Sequence, residues 1–343
     1  MRRSKAFILT AILLSACTLQ RWQQPERTAS LDDHMMHMSA ADMRMPAASF
    51  VTASGNPQGT PGLPPSNNAA AARLAASPRH AEWVKIPWGA GAKDSIMAWV
   101  VYPKTSGKAP VVVVVHEIFG LSTWVRGLAD QVAADGFIAI APDFLSRVRG
   151  GPTTVELSSD SARKLIAGYS TTDQAAVIDA AANYAMMLPA AEKRYAVIGY
   201  CWGGSATWSH AINGGVMGFS GGVAFYGTPY TSRGTPATAT TPAVSGGLIA
   251  DSMAKITKPV MLLSGSKDAR ITALMPAIDS AMHALHHDDY FQKNYEGAEH
   301  GFVRAQDDPK TPPDEAGQAA NLAAIKDAWP KTIAFLKKNL GVK

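Results

Sequence analysis

Short apolar runs and longer segments of helical character alternate along the chain from about residue 82 to its end. One of these runs, residues 110–115, contains five consecutive valines, which is typical of a strand buried on both faces. The two runs before it are expected to pair as antiparallel strands. The predicted strands cover residues 83–87, 96–102, 110–115, 137–141, 195–198, 222–226, 259–264 and 290–295, and the predicted helices cover residues 121–134, 175–187, 205–212, 271–286 and 316–339.

This alternation predicts the class of fold. Strands that alternate with helices form a mainly parallel sheet with helices on both faces. We therefore expect an α/β protein with a central sheet of about eight strands, in one domain that covers residues 81–343. Ligands of such sheets bind at the carboxyl ends of the strands, so the loops that follow the strands are where chemistry is expected.

The N-terminus has a different pattern, which is typical of export. Residues 1–16 begin with basic side chains, continue with a short apolar segment and end in small residues, as a signal peptide does. The apolar segment is too short to span a membrane. Residues 14–17 resemble the bacterial lipobox, which implies removal of residues 1–16 and a lipid on Cys17. Because Thr18 is not aspartate, the resemblance favours the periplasmic face of the outer membrane over the inner membrane. An ordinary secretory signal is the alternative.

Residues 17–80 are rich in Ala, Pro, Ser, Gln and Asn and show no sustained period, so we expect a disordered tether. Within it lies a cluster of methionine and histidine at residues 34–45. Thioether and imidazole side chains suit Cu(I), but nothing in the sequence fixes a coordination geometry. We therefore predict no metal site and no cofactor.

Charge narrows the range of partners. The chain of 343 residues has a net charge of +5, from 32 Lys and Arg against 27 Asp and Glu. Loss of the three basic residues of the signal leaves 29 against 27, or +2. Basic residues do not form a stripe interleaved with aromatic residues, so we expect no nucleic-acid partner. The expected partners are a small-molecule substrate and, through Cys17, a membrane, and the expected state is a monomer.

The strand at residues 195–198 leads into Gly-x-Cys-x-Gly-Gly, with Cys201 at its centre. A reactive side chain between glycines, at a turn from strand to helix, is the nucleophile elbow of the α/β-hydrolase fold. The alternative is that Cys201 is a small buried hydrophobic residue. If Cys17 carries lipid, Cys201 has no cysteine partner within the chain, and catalysis would explain a free thiol in an exported protein.

The elbow needs an acid and a histidine, which follow it in that order in this fold. Asp268 follows the strand at residues 259–264, and His300 follows the last predicted strand. Asp251 is a competing acid, but no apolar strand runs directly into it. Among the other histidines, only His116 also lies at the end of a strand. The pattern predicts a Cys201-His300-Asp268 triad.

Together with Asp268, His300 and the residues that follow the valine run, 116–120, the elbow at residues 199–204 resembles that of the dienelactone hydrolase family. The resemblance covers roughly residues 82–340. It implies an α/β-hydrolase fold and hydrolysis of small esters or lactones, of the carboxymethylenebutenolidase kind. Cys201 would be the nucleophile.

The resemblance also implies roles around the triad. Glu117 would interact with the resting thiol and help to deprotonate it, and the backbone N–H groups of Ile118 and Trp202 would form the oxyanion hole. Arg304 matches an arginine that holds a substrate carboxylate, unless it is a solvated charge at the rim. Arg163 is the nearest candidate for a second such arginine, unless it is an exposed residue of a helix.

Two features leave the activity open. The loop at residues 227–258 is long and rich in Thr, Ala, Pro and Gly, and loops of this length are often lids or binding loops. The predicted export is the second feature, because the best-known members of the family are cytosolic and an exported protein meets different esters. The alternatives to an ester hydrolase are a non-catalytic envelope lipoprotein that uses the fold as a binding module, and a peptidase or acyltransferase with the same triad.

Overall fold

The computed structural model describes residues 58–89, 91, 94–153, 158–232, 246–306 and 315–342. The predicted signal peptide, the lipidation site at Cys17 and the methionine and histidine cluster lie outside these residues. So do residues 233–245 of the predicted long loop.

The centre of the molecule is an eight-stranded sheet with the order β1-β2-β4-β3-β5-β6-β7-β8. The pairings β1 with β2 and β2 with β4 are antiparallel, and all the others are parallel. The sheet is therefore mainly parallel and its first two strands pair antiparallel, as the sequence predicts. Every residue of the valine strand is buried, because that strand lies between two others and is covered on both faces. The strands are β1 Ala81–Trp88, β2 Asp94–Val101, β3 Ala109–Val115, β4 Ile138–Asp143, β5 Ala191–Tyr200, β6 Phe219–Phe225, β7 Val260–Gly265 and β8 Phe291–Tyr295.

Helices connect the parallel strands. The chain crosses from β3 to β4 in one direction along the sheet and from β4 to β5 in the other. Because such crossovers are right-handed, the helices α2 and α5 that make them lie on opposite faces. The helices are α1 Ala70–Ala75, α2 Thr123–Ala134, α3 Ser146–Arg149, α4 Ser159–Ile166, α5 Thr171–Met187, α6 Trp202–Asn213, α7 Ala269–Ala284 and α8 Glu315–Leu340, and a 3₁₀ helix covers Ala250–Lys255. Within the described ranges, no helix is both long and apolar enough to cross a membrane.

The prediction of a disordered tether up to residue 80 is wrong for residues 58–80. This segment contains α1, and Leu63 and Ala70 are buried in the core. Its small side chains allow a close approach to α2, where a Cβ on Gly127 would lie 2.7 Å from the Pro65 ring. The segment shows no hydrophobic period because its buried side chains include alanine and proline that pack against a neighbouring helix. It has no apolar stripe of its own.

Polar contacts also hold the end of this segment. Arg79 Nε donates a hydrogen bond of 2.9 Å to Asp130 on α2, and a second guanidinium nitrogen of Arg79 contacts the other carboxylate oxygen. The Ser77 hydroxyl donates to the same carboxylate. The folded domain therefore includes residues 58–80.

Candidate active site

Cys201 lies between β5 and α6 with φ 57° and ψ −116°, a conformation that residues other than glycine rarely adopt. Hydrogen bonds on both sides hold it there. Its N–H donates to the Phe225 carbonyl at 3.0 Å, and its carbonyl accepts from the Ser205 N–H at 3.2 Å. The side chain is fully buried. Strain of this kind is stored at functional sites and is maintained by the surrounding structure.

The glycines of the elbow are required by close packing. A Cβ on Gly199 would collide with the backbone of Gly203, and a Cβ on Gly203 would collide with the Val115 carbonyl at the end of β3. A Cβ on Gly204 would lie 2.5 Å from the Phe225 carbonyl. The turn therefore accommodates only glycine at these positions, and α6 packs directly on the strands beside it.

The ends of β7 and β8 bring Asp268 and His300 together. The Nδ1 atom of His300 lies 2.6 Å from Oδ2 of Asp268. The other carboxylate oxygen accepts a hydrogen bond of 3.3 Å from the Ile271 N–H, so Asp268 is also the N-cap of α7. Cys201 lies close enough to His300 to act on the charge of the imidazole, so the thiol is the third side chain of this group. The structure thus brings together the three residues of the predicted triad.

The charged side chains of Asp268 and His300 stabilise each other. Burial is the largest single effect and disfavours the charged form of both groups. For Asp268, the attraction and hydrogen bond of His300, the charge of Arg270 and the Ile271 N–H together outweigh burial and lower the pKa of the carboxyl to about 2. In the same way, Cys201 and Asp268 together outweigh the burial of His300 and raise its pKa well above the ordinary value. The geometry therefore favours an imidazolium beside the Asp268 carboxylate.

Glu117 and Arg304 form a second buried pair beside the triad. Arg304 Nε lies 3.6 Å from Glu117 Oε2, and the two side chains are 7% and 4% exposed. The guanidinium carbon of Arg304 also lies 5.6 Å from the centre of the Phe119 ring, within cation–π range. Arg304 is therefore not a solvated charge at the rim. The interaction of Glu117 with the resting thiol stays a prediction.

Two tyrosines at this site do not follow from the sequence pattern. The hydroxyls of Tyr200 and Tyr226 are buried and have no hydrogen-bond partner among the residues that the structure describes. The Tyr226 ring packs 4.9 Å from His300. Burial, and next the charge of Glu117, raise the pKa of Tyr226 well above its ordinary value. Its position directly after β6, at the carboxyl edge of the sheet, is the signal that could have identified it.

Trp202 is the first residue of α6, so its N–H has no acceptor within that helix. Ile118 follows the end of β3, where His116 stacks on the Trp202 ring with centroids 5.8 Å apart. Both residues are buried. The structure thus places the two predicted oxyanion-hole residues on adjoining segments, and their role stays a prediction.

His116, the other histidine at a strand end, connects β3 to β4. Its Nε2 atom accepts a hydrogen bond of 3.1 Å from the Phe144 N–H, and its Nδ1 atom lies 2.5 Å from the Glu117 carbonyl. The acceptor at Nε2 places the proton on Nδ1, which then donates to the carbonyl. Burial lowers the pKa of His116 and keeps the ring neutral. These contacts assign it a structural role.

The two remaining candidates from the sequence are Asp251 and Arg163. Asp251 lies exposed in the 3₁₀ helix, whereas Asp268 is buried against His300. Arg163 lies on α4, where its guanidinium is 3.7 Å from Asp160 of the same helix. Its contact with a substrate carboxylate stays a prediction. Within the described part of the chain, no group of three or more His, Cys, Asp or Glu side chains could hold a metal ion.

The sheet order and the elbow define the α/β-hydrolase fold, here with cysteine at the nucleophile position. The family model described as "Dienelactone hydrolase family" matches residues 96–340. The chain belongs to the dienelactone hydrolase family.

Individual relatives agree with this assignment. A protein of Synechocystis sp., provisionally described as a carboxymethylenebutenolidase, is 28% identical, and the match covers 71% of this chain and 92% of the relative. A similarly described protein of Salmonella typhi is 33% identical, but there the match covers 39% of this chain and only 49% of the relative. The chain thus spans about half the length of the enterobacterial relatives that it matches. A Klebsiella pneumoniae crystal structure, provisionally described as a dienelactone hydrolase, has the same fold, with a TM-score of 0.58, 24% identity, and coverage of 75% of this chain and 98% of that one.

Proposed function

We propose that the protein hydrolyses small carboxylic esters or lactones through a thioester on Cys201. The observation that carries this proposal is the hydrogen bond between His300 and Asp268 beside Cys201, with the cysteine held at positive φ at the start of a helix. Membership of the dienelactone hydrolase family supports it. A Bradyrhizobium relative, 27% identical with 94% of its length matched, is provisionally described as a lactonase of an oxofuranylidene propanoate.

The chemistry proceeds in two halves. The Cys201 thiolate attacks the ester carbonyl, and the tetrahedral oxyanion is stabilised by the N–H groups of Ile118 and Trp202, each of which contributes about 3 kcal/mol. The C–O bond then breaks, and His300 gives its proton to the departing alcohol oxygen. In a lactone this alcohol stays in the same molecule as the acyl group. A water, deprotonated by His300, attacks the thioester and releases the acid and the thiol.

Arg304 supports a preference for esters that carry a carboxylate. In the structure its guanidinium faces the carboxylate of Glu117, both of them buried. A carboxylate on the substrate could take the place of Glu117 at Arg304, since arginine binds carboxylates through paired, charge-assisted hydrogen bonds. Release of Glu117 from the arginine would then leave it free to accept the thiol proton as the substrate binds.

Replacement of Arg304 by glutamine should lower kcat/KM for a carboxylated ester roughly tenfold to a hundredfold, because a hydrogen bond to a charged group contributes about 1.5–3 kcal/mol. Hydrolysis of neutral p-nitrophenyl acetate should change much less. The matched control is Arg194→Gln, which removes a half-exposed arginine paired with Glu192 near the amino end of β5. Equal losses on both esters would contradict carboxylate recognition by Arg304.

We also propose that the chain is exported and carries lipid on Cys17, which would place the enzyme in the bacterial cell envelope. The support is the charged start, the short apolar segment and the lipobox-like residues 14–17. In cells labelled with a fatty-acid probe, Cys17→Ala should abolish incorporation of label, whereas Cys201→Ala should leave it unchanged. Persistent labelling of the Cys17 variant would refute the anchor and leave the ester-hydrolase proposal unaffected.

A further inference from the structure

Residues 58–79, which we call the N-terminal arm, touch the loop that carries His300 and Arg304. The arm lies outside the region that the family model matches. We propose that the N-terminal arm positions Arg304 and thereby sets the preference of the site for carboxylated substrates. This inference rests on the proposed role of Arg304 as the carboxylate-binding residue.

Two polar contacts join the arm to the loop. The Asn67 N–H donates a hydrogen bond of 2.9 Å to the backbone carbonyl of Arg304 itself. The side-chain amide of Gln306 donates to the carbonyls of Pro64 and Val303, both at 2.9 Å. Gln306 is 3% exposed, so these bonds lie in an environment where an unpaired carbonyl is costly. Gln306 therefore ties the arm to the residue just before Arg304.

The arm is itself anchored firmly enough to act as a support. The Trp124 indole N–H of α2 donates 3.0 Å to the Pro65 carbonyl, between the two loop contacts in sequence. Leu63 and Ser66 are 7% and 1% exposed. At the far end, the salt bridge of Arg79 with Asp130 fixes the arm to the same helix. Both anchors are on α2, so the arm connects this helix to the Arg304 loop.

His300 has supports that the arm does not provide. Its imidazole is bonded to Asp268, and the neighbouring Glu299 N–H donates 2.9 Å to Asn321 of α8. The contacts of the arm fall on Arg304 and Gln306, after His300 in the chain, where Asn321 also donates to the Ala305 carbonyl. Loosening the arm should therefore displace Arg304 more than the catalytic histidine, and change selectivity more than the basal rate.

The test uses the full-length chain with Gln306→Leu, which leaves the carbonyls of Pro64 and Val303 without their donor. We expect kcat/KM for a carboxylated ester, relative to p-nitrophenyl acetate, to fall roughly tenfold, within the loss that a displacement of about 1 Å can cause. The matched control, Ser77→Ala, removes a hydrogen bond at the other end of the arm and should leave this ratio unchanged. A second variant, Leu63→Ala, loosens the arm without altering the loop and should lower the ratio in the same direction.

A double variant separates positioning from general stability. If the arm acts through Arg304, Gln306→Leu should cause no further loss of selectivity in an Arg304→Gln background, because coupled changes are not additive. Additive losses, or a lowered melting temperature with an unchanged ratio in both arm variants, would overturn the proposal.

A readout that does not depend on ester hydrolysis keeps this inference distinct from the proposed function. Alkylation of Cys201 by anionic iodoacetate, relative to neutral iodoacetamide, reports the positive charge near the thiol and is measured on the Cys201 peptide by mass spectrometry. Gln306→Leu should lower this ratio. If the wild type shows no preference for carboxylated esters but the alkylation ratio falls, the substrate class is wrong and the arm still positions Arg304. If the alkylation ratio is unchanged, the arm proposal fails.

Discussion

Replacement of Cys201 by alanine is expected to lower kcat for ester hydrolysis by about 10⁵–10⁶-fold, the loss seen when a nucleophile acting within a triad is removed. The physical reason is that no covalent intermediate can form, while binding and the oxyanion-hole N–H groups remain. Turnover of p-nitrophenyl acetate and of a lactone, measured beside the wild type, checks this. Cys201→Ser is the companion variant. It keeps a nucleophilic atom at the elbow, but the pKa of a serine hydroxyl is much higher than that of a cysteine thiol.

Equal turnover by wild type and Cys201→Ala would refute the thioester mechanism. A wild type inactive on a broad panel of esters and lactones would favour the binding-module alternative. Thermal melting of each variant provides the control for folding. Cys201 is strained, but alanine also carries a Cβ, so the backbone strain is the same in both chains and the comparison isolates the thiol.

Asp268→Asn should lower kcat by about 10⁴-fold, as expected when the group that orients a catalytic histidine becomes an amide. The asparagine oxygen can still accept the N–H of Ile271, so the cap of α7 is preserved. The amide NH₂ would then face Nδ1 of His300 and favour the tautomer that cannot accept a proton on the thiol side. Wild-type kcat in this variant would contradict the assignment of Asp268 as the orienting acid.

The same variant should alter the pH dependence of stability. The pKa of Asp268 is lowered to about 2, so its contribution is present above the ordinary carboxyl pKa and is lost as the pH falls towards 2. The pKa of His300 is raised, so its contribution is present below the ordinary histidine pKa and is lost as the pH rises through the raised value. The free energy of unfolding of the two chains should therefore differ most between about pH 4 and 6.5, by on the order of 2 kcal/mol. Denaturant titrations across this range measure it, and a difference that does not vary with pH would contradict the charged pair.

The strands and the triad were predictable because their signals are local. A run of five valines at residues 111–115 requires burial on both faces wherever it lies. The elbow glycines mark a tight turn, Asp268 follows an apolar strand, and His300 follows the last predicted strand. The common edge of a parallel sheet then brings these residues together whatever their separation in the chain.

The remaining features depend on contacts between distant segments. The pairing of Glu117 with Arg304 arises where two loops meet, and no spacing in the sequence encodes it. The arm folds because Pro65 and Ala70 fit against Gly127 of α2, a match of shapes that composition does not reveal. Tyr226 is the last residue of a predicted strand, but an aromatic residue there is equally typical of a core. The helices α3 and α4 are short, and short helices give weak periodic signals.

A hydrogen bond of Asn321 affects the order in which the active site is completed during folding. This buried residue of α8 accepts from the Glu299 N–H, one residue before His300. Because the chain leaves the ribosome, and would cross a membrane, amino end first, the elbow, β7 and β8 become available before α8 does. Until α8 packs against it, the histidine loop lacks one of its supports. The elbow that holds the Cys201 thiol would then form early, and the thiol would be activated late. It would stay unreactive until the end of folding.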